Sequence, residues 1–372
     1  MLTTPDLLAG PRGRRVLLAF AVASEHARLR EGEASALVQS VFDVSFRLAE
    51  ADGQAITRFG WGGPTPEYTV ADVVAALGAV DLAEVTADAA RDALNTSVDA
   101  AMYWQGPDGD DLLCALPEVR DALARVADHL VASPHVQAWD APLDASDQWH
   151  LVWDGRVLPR PDLSRWRAAV RAGDEQAARE RPADPTASWS GEWWSTPPHG
   201  LVVTTGTFGD AGPVGLWLVE DFSGARVVEA QRVAIDPAAR VFELAGPEDW
   251  AELCRRFPLE VTAEKRHDWY RVTGRDGRWV IPDWSAVADR FDGVRLGIGG
   301  YLRAATMAIP VDDDTASVIA GWGPGSTYWL TDVAHRTARA SGGGSRRATR
   351  AGCANARPAW PRSAARSATC GW

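Results

Sequence analysis

ARVVEAQRVAIDPAARVFELAGPEDWAELCRRFP, residues 225–258, decides the fold class because its hydrophobic pattern changes within one short span. ARVVEAQRVAI (225–235) and RVFELAG (240–246) are β-branched, apolar runs separated by Asp236-Pro237, which is how strands are punctuated. PEDWAELCRRFP (247–258) then places Pro247 at a first helical turn with Glu248 and Asp249 behind it, where acids favour the positive end of the helix dipole. Strand, strand and helix in close succession predict an α+β organisation.

Working outward, LVVTTG (201–206) and VGLWLVED (214–221) read as further strands, and WYRVTGRDGRWVI (269–281) as two strands about an Arg275-Asp276-Gly277 turn. GIGGYL (297–302) lacks the glycine spacing of a dinucleotide-binding loop and reads as a loop or flexible strand edge. Upstream of 160 the spacing is helical. Val16, Leu17, Phe20 and Ala21, then Leu37, Val38, Val41, Phe42 and Phe46, mark two helices; others are expected at 70–80, at 87–103 behind a Thr86 cap, and at 117–132 from Pro117. GWGGPTPEY (60–68) and QGPDGDD (105–111) are turn-rich connections. The expected division is a helical part over 1–160, a charged helix and Pro-rich linker over 161–188, a Trp-rich α+β part with a mainly antiparallel sheet over 189–332, and a disordered basic tail over 333–372.

The chain has 372 residues and a net charge of −12. Eight of its 38 basic residues and none of its 50 acidic ones follow Asp332, so the body carries about −20. That charge disfavours nucleic acid, which needs a basic footprint. The tail holds almost no aliphatic residue whose burial would offset ordering. A disordered segment, a basic arm for an anionic partner, and the out-of-frame product of a GC-rich gene all fit its composition. Lys265 is the single lysine, consistent with such a gene. Cys114, Cys254, Cys353 and Cys370 form no Cys-x-x-Cys pair, so no zinc site is expected; Cys114 and Cys254 read as small core residues, and a reducing cytoplasm fits. GRRVLLAFAVASEHA (13–27) begins like a secretion signal but continues into charged residues as an amphipathic helix; its apolar run is too short to span a bilayer.

Eighteen tryptophans are present, and those at 189, 193, 194, 217, 250, 269, 279 and 284 crowd one region. Each buries a large apolar body while its indole N–H seeks an acceptor, so Asp249-Trp250, Asp268-Trp269 and Asp283-Trp284 read as helix-start or turn devices. The functional alternative is a pocket in which Trp193, Trp194, Trp269 and Trp279 stack on a flat ligand, with His267 or Arg271 as the polar anchor. SGEWWSTPP, GLWLVED, GPEDWAELCRRFPLEVT, RHDWYRVTGRDGRWVIPDW, FDGVRLGIGGYL and GWGPGSTYWLTD together resemble blocks of an uncharacterised actinobacterial family, over about 190–332. No activity is established for that family, so the resemblance implies none here.

No Gly-x-Ser-x-Gly elbow, P-loop or dinucleotide fingerprint is present, and no cofactor is expected. Glu220-Asp221 reads as a turn and Glu248-Asp249 as a helix start. His267, between Arg266 and Asp268, is the histidine best placed as a proton carrier, with His199 behind it. Two function classes follow. The first is a binding or interaction protein for a small molecule or a protein partner. The second is an NAD-consuming enzyme of the ADP-ribosyltransferase or NAD-glycohydrolase kind, with Ser195-Thr196 as its Ser-Thr element, Arg271 or His267 as grip and Glu220 or Glu243 as acid; the expected Glu-x-Glu pair is missing.

Overall fold

A computed structural model describes residues 1–30, 33–54, 67–222 and 226–336, with Arg226 and 346–350 described by backbone alone. The expected helical half is α1 (Thr4–Ala9), α2 (Pro11–His26), α3 (Ala36–Ala51), α4 (Val70–Ala79), α5 (Ala87–Asp99), α6 (Gly109–Ala115), α7 (Pro117–Val131) and the single turn α8 (Pro134–Gln137). Local chemistry fixes their starts. Thr3 and Thr69 make capping boxes with Asp6 and Asp72, Thr86 and Asp108 accept from third-position N–H groups, and Pro117 opens α7.

Then come β1 (Gln148–Trp153), α9 (Leu163–Glu180), β2 (Val202–Thr205), β3 (Arg226–Ile235), β4 (Val241–Leu244), α10 (Pro247–Arg256), β5 (Pro258–Glu260), α11 (Thr262–Thr273), β6 (Arg278–Pro282), α12 (Trp284–Ala288), β7 (Gly293–Leu296), α13 (Ile298–Ala304), β8 (Ile309–Pro310), β9 (Thr315–Ser317), β10 (Ser326–Trp329), β11 (Ala334–Arg336) and β12 (Arg346–Arg350). The main sheet runs β11-β3-β1-β2-β10-β7-β4, with β12 also on β3. Among the described residues only its β4–β7 pairing is parallel. A smaller sheet runs β5-β6-β9-β8. The fold is α+β, with a helical N-terminal half and a mainly antiparallel main sheet.

Five local expectations are corrected. VGLWLVED forms a 3-10 turn at Val214–Leu216 and then irregular chain. WYRVT is the end of α11, closed by Gly274 in the left-handed region at φ 69°, so only Arg278–Pro282 of the proposed hairpin is a strand. GIGGYL is the body of α13. QWHLVW (148–153), at the end of the expected helical part, is a strand between β2 and β3. Within the expected disordered tail, Ala334–Arg336 and the backbone of Arg346–Arg350 pair with β3, since ladder hydrogen bonds need no apolar side chain. The rest of the tail, and 60–66 of the GWGGPTPEY connection, lie outside the described residues.

One buried cluster runs from Leu2 to Leu330 and draws side chains from both sides of residue 160. A second gathers Tyr103, Leu259, Val261, Trp269, Trp279, Ile281 and Val318. Where the halves meet, α13 lies on α1 and α2. Glycine permits the approach: a Cβ on Gly10 would stand 2.2 Å from the Leu302 carbonyl oxygen, and one on Gly300 2.2 Å from that of Leu244. Arg303 closes the same seam by reaching Asp6 at 2.9 Å and Asp140 at 2.8 Å.

Candidate functional site

The tryptophans proposed as a pocket are mostly wall. Trp269 and Trp279 are fully buried and meet edge to face, centroids 5.2 Å apart at 81°, leaving no ring face for a ligand between them. Trp269 donates its indole N–H to the Trp193 carbonyl oxygen at 2.7 Å. Trp193, half-buried, stacks on Tyr103 (5.2 Å, 16°) and meets the edge of Trp194, which in turn meets exposed His199. Arg271 is committed to Asp268 and to the carbonyl oxygens of Trp104 and Trp189. His267 is buried, and burial, with Arg266 beside it, holds its pKa below the ordinary value against the pull of Asp268 and of the Pro182 backbone. A buried imidazole whose charged form is disfavoured is poorly set up to carry protons. Of the Asp-Trp devices, Asp283 caps α12 and Asp249 accepts the Ala245 N–H at the start of α10, whereas Asp268 sits mid-helix and ties Ser190 and Gly191 to α11.

The structure brings together a different set. Tyr103, after α5, and Tyr301, on α13, converge on Glu220, each hydroxyl oxygen within 2.9 Å of Glu220 Oε1; Tyr103 Oη is also 2.9 Å from the Ile319 carbonyl oxygen. One hydroxyl proton cannot serve both a carboxylate and a carbonyl. If Glu220 is the neutral acid, each contact has its own proton: Tyr301 donates to Oε1, the Oε1–H donates to Tyr103 Oη, and Tyr103 donates to Ile319. Burial pushes the Glu220 pKa up to about 8, against the pull of both tyrosine hydroxyls, of Arg12 and of the Gly321 backbone N–H. The same burial and the nearby carboxyl hold Tyr103 and Tyr301 well above the usual phenol range.

Arg12 links this network to a cleft. Its guanidinium is buried, paired with Asp111 and donating to the Ser97 carbonyl oxygen at 2.9 Å. Arg15 next to it holds Asp108 at 2.6 Å, Asp110 at 2.9 Å and Asp111 at 3.4 Å. The cleft in front has a volume of about 230 Å³, walled by the start of α2, the α5–α6 connection and α6, the end of α11 and residues 306–308. Met102, Val272, Met307 and Ala308 supply its apolar surface, and Arg12, Arg14, Asp108 and Asp111 its charges. None of the six pocket residues expected from the sequence lines it.

Thr306, on the cleft wall, has φ of 63°. A β-branched residue in the left-handed region is strained by about 1–3 kcal/mol, and such strain gathers at functional sites. Thr306→Gly is expected to raise unfolding free energy by about 1 kcal/mol, strain relief exceeding the entropy glycine adds to the unfolded chain. A urea midpoint that falls instead would show that the Thr306 side chain holds the turn.

Glu243, the second carboxylate proposed as an acid, lies on the edge strand β4 and accepts from Arg295 at 2.8 Å and from the Leu143 N–H at 3.2 Å, whereas Arg271 and His267 lie on α11, Arg271 held by other partners. Ser195 and Thr196 are buried, Ser195 being tied to Ala320. Among the described residues no group of His, Cys, Asp and Glu could hold a metal ion, and no helix is long and apolar enough to cross a membrane. Sequence reading passed over Tyr103, Tyr301, Arg12 and Arg14; the run Pro11-Arg12-Gly13-Arg14-Arg15, charged inside an otherwise apolar helical face, was the available signal. Compared with protein-family models, curated proteins and solved structures, the chain matches none.

Proposed function

We propose that this protein binds a small molecule in the cleft where its two halves meet. One observation carries the reading: a concave, mainly apolar space with a few convergent charged groups and a strained wall residue, at a seam between two parts of the fold, where ligand sites concentrate. At about 230 Å³ it is smaller than the ~300–1,000 Å³ usual for ligand pockets, which points to a ligand well below dinucleotide size. The described wall offers no nucleophile beside a general base, so binding is better supported than turnover. The NAD-consuming alternative finds less support, since Glu220 is enclosed by tyrosines and Glu243 is paired with Arg295.

Ala115 is exposed at the end of α6 and lines the cleft, so Ala115→Trp fills the entrance with little effect on packing. In a thermal-shift screen of small neutral and charged compounds, at least one should stabilise the wild type by about 2.7 kcal/mol at a hundredfold excess over Kd, and Ala115→Trp should abolish the shift. If every shift survives Ala115→Trp, the cleft is not the site.

A further inference from the structure

Resting on the reading of the cleft as a binding site, we infer that its ligand is a small organic acid, carboxylate against Arg14 and apolar body between Met102 and Met307. Of the three arginines Arg12, Arg14 and Arg15, two are consumed by aspartates, Arg12 by Asp111 and Arg15 by Asp108, Asp110 and Asp111. Arg14 has no carboxylate partner among the described residues. Its Nη1 donates to the carbonyl oxygens of Leu8 and Ala9 at the end of α1, both at 2.8 Å. Those two bonds fix the plane of the guanidinium and leave Nη2 without a partner on a residue that lines the cleft. A guanidinium already oriented loses little freedom on gripping a carboxylate, and a charge poorly served by water gains more from the grip. Burial does hold the pKa of Arg14 below the ordinary value.

The other walls set the rest of the ligand. Asp108 and Asp111 line the same space, so a dianion such as a phosphate monoester would meet like charge, whereas one carboxylate can face Arg14 alone. Met102 and Met307 are two of the chain's three methionines, and their soft, unbranched side chains accommodate apolar bodies of varied shape. Val272 and Ala308 complete an apolar lining suited to a short alkyl chain or a single ring.

The test is calorimetric titration of the full chain with butyrate, hexanoate, benzoate and phenylacetate, each beside its amide, and with inorganic phosphate. At least one acid should bind ten-fold or more tightly than its amide, phosphate should not compete, and Arg14→Gln should erase the preference. Because Arg14 also holds the end of α1, Arg14→Lys is measured in parallel; retaining the charge, it should keep the order acid over amide at reduced affinity. Amides that bind as well as acids, with Ala115→Trp blocking both, would overturn the inference and leave the cleft reading standing. No binding by any acid while neutral compounds bind, or phosphate binding in place of the acids, would also overturn it. If no compound of either kind depends on the cleft, the underlying reading fails with it.

Discussion

Above pH 8, Glu220→Gln is expected to be more stable than the wild type, and near pH 5 slightly less stable. The wild-type carboxyl has a folded pKa of about 8 against an ordinary value of 4.5. Between those values the native state holds a proton that the unfolded chain has released, so unfolding free energy falls as pH rises. The slope is about 1.4 kcal/mol per unit, which over this window amounts to about 5 kcal/mol. Below 4.5 both states are protonated and the full stability is present; above 8 both are ionised and this loss is complete. Glutamine has the same shape, carries no titrating proton and still reaches Tyr103 and Tyr301, so its denaturation midpoint should be nearly flat over the window. It cannot reproduce the single-proton chain from Tyr301 through Glu220 and Tyr103 to Ile319, which costs about 1 kcal/mol at low pH. Urea unfolding of both proteins at pH 5, 6.5, 8 and 9 measures the crossover. Parallel pH profiles would mean that Glu220 is ionised in the folded protein and that the proton count is wrong.

This network shows where sequence reading stopped. The Glu220-Asp221 turn was legible, since Asp221 does take a left-handed conformation at φ 45°, but the direction of the Glu220 side chain was not. Its partners lie 117 and 81 positions away, beyond any local pattern. Periodic helices that start at a capping side chain or a proline, α2 to α5, α7, α9 and α10, were readable because their starts are coded by neighbours in the chain, whereas α6 begins inside the glycine-rich stretch 105–111 that reads as a turn. The errors fell on short segments whose state is set by distant contacts. GIGGYL becomes helical because its glycines allow α13 to rest on the backbone of residue 244, and WYRVT continues α11 because Trp269 and Val272 face the second core. The Trp-rich composition correctly marked a densely built region, but composition does not distinguish a wall from a pocket. Arg12, Arg14 and Arg15 resembled the arginine bias of the whole chain, and only packing separates the paired guanidiniums from the unpaired one.

The largest single-residue loss is expected for Trp269→Ala. Trp269 is fully buried at the centre of the second core, its ring edge to face with Trp279 and with Lys265 Nζ 5.8 Å from its centroid. Truncation removes the apolar burial, leaves a cavity lined by Trp279 and aliphatic groups, and deprives the Trp193 carbonyl oxygen of its 2.7 Å donor. Buried tryptophan-to-alanine changes cost about 3–5 kcal/mol, a large share of the ~5–15 kcal/mol of a whole domain. Trp269→Phe separates the contributions: the aromatic contact is partly kept while the indole donor is lost, so a smaller loss of about 1–3 kcal/mol is expected. Trp189, 41 % exposed, provides the contrast, since Trp189→Ala gives up only surface area and the distant Arg181 contact, and should stay within about 1 kcal/mol of the wild type. Chemical denaturation of the three variants decides between wall and pocket. A Trp269→Ala protein with an unchanged midpoint but weakened binding of an aromatic ligand would put that ring in a site, against the edge-to-face contact with Trp279 that now fills the space.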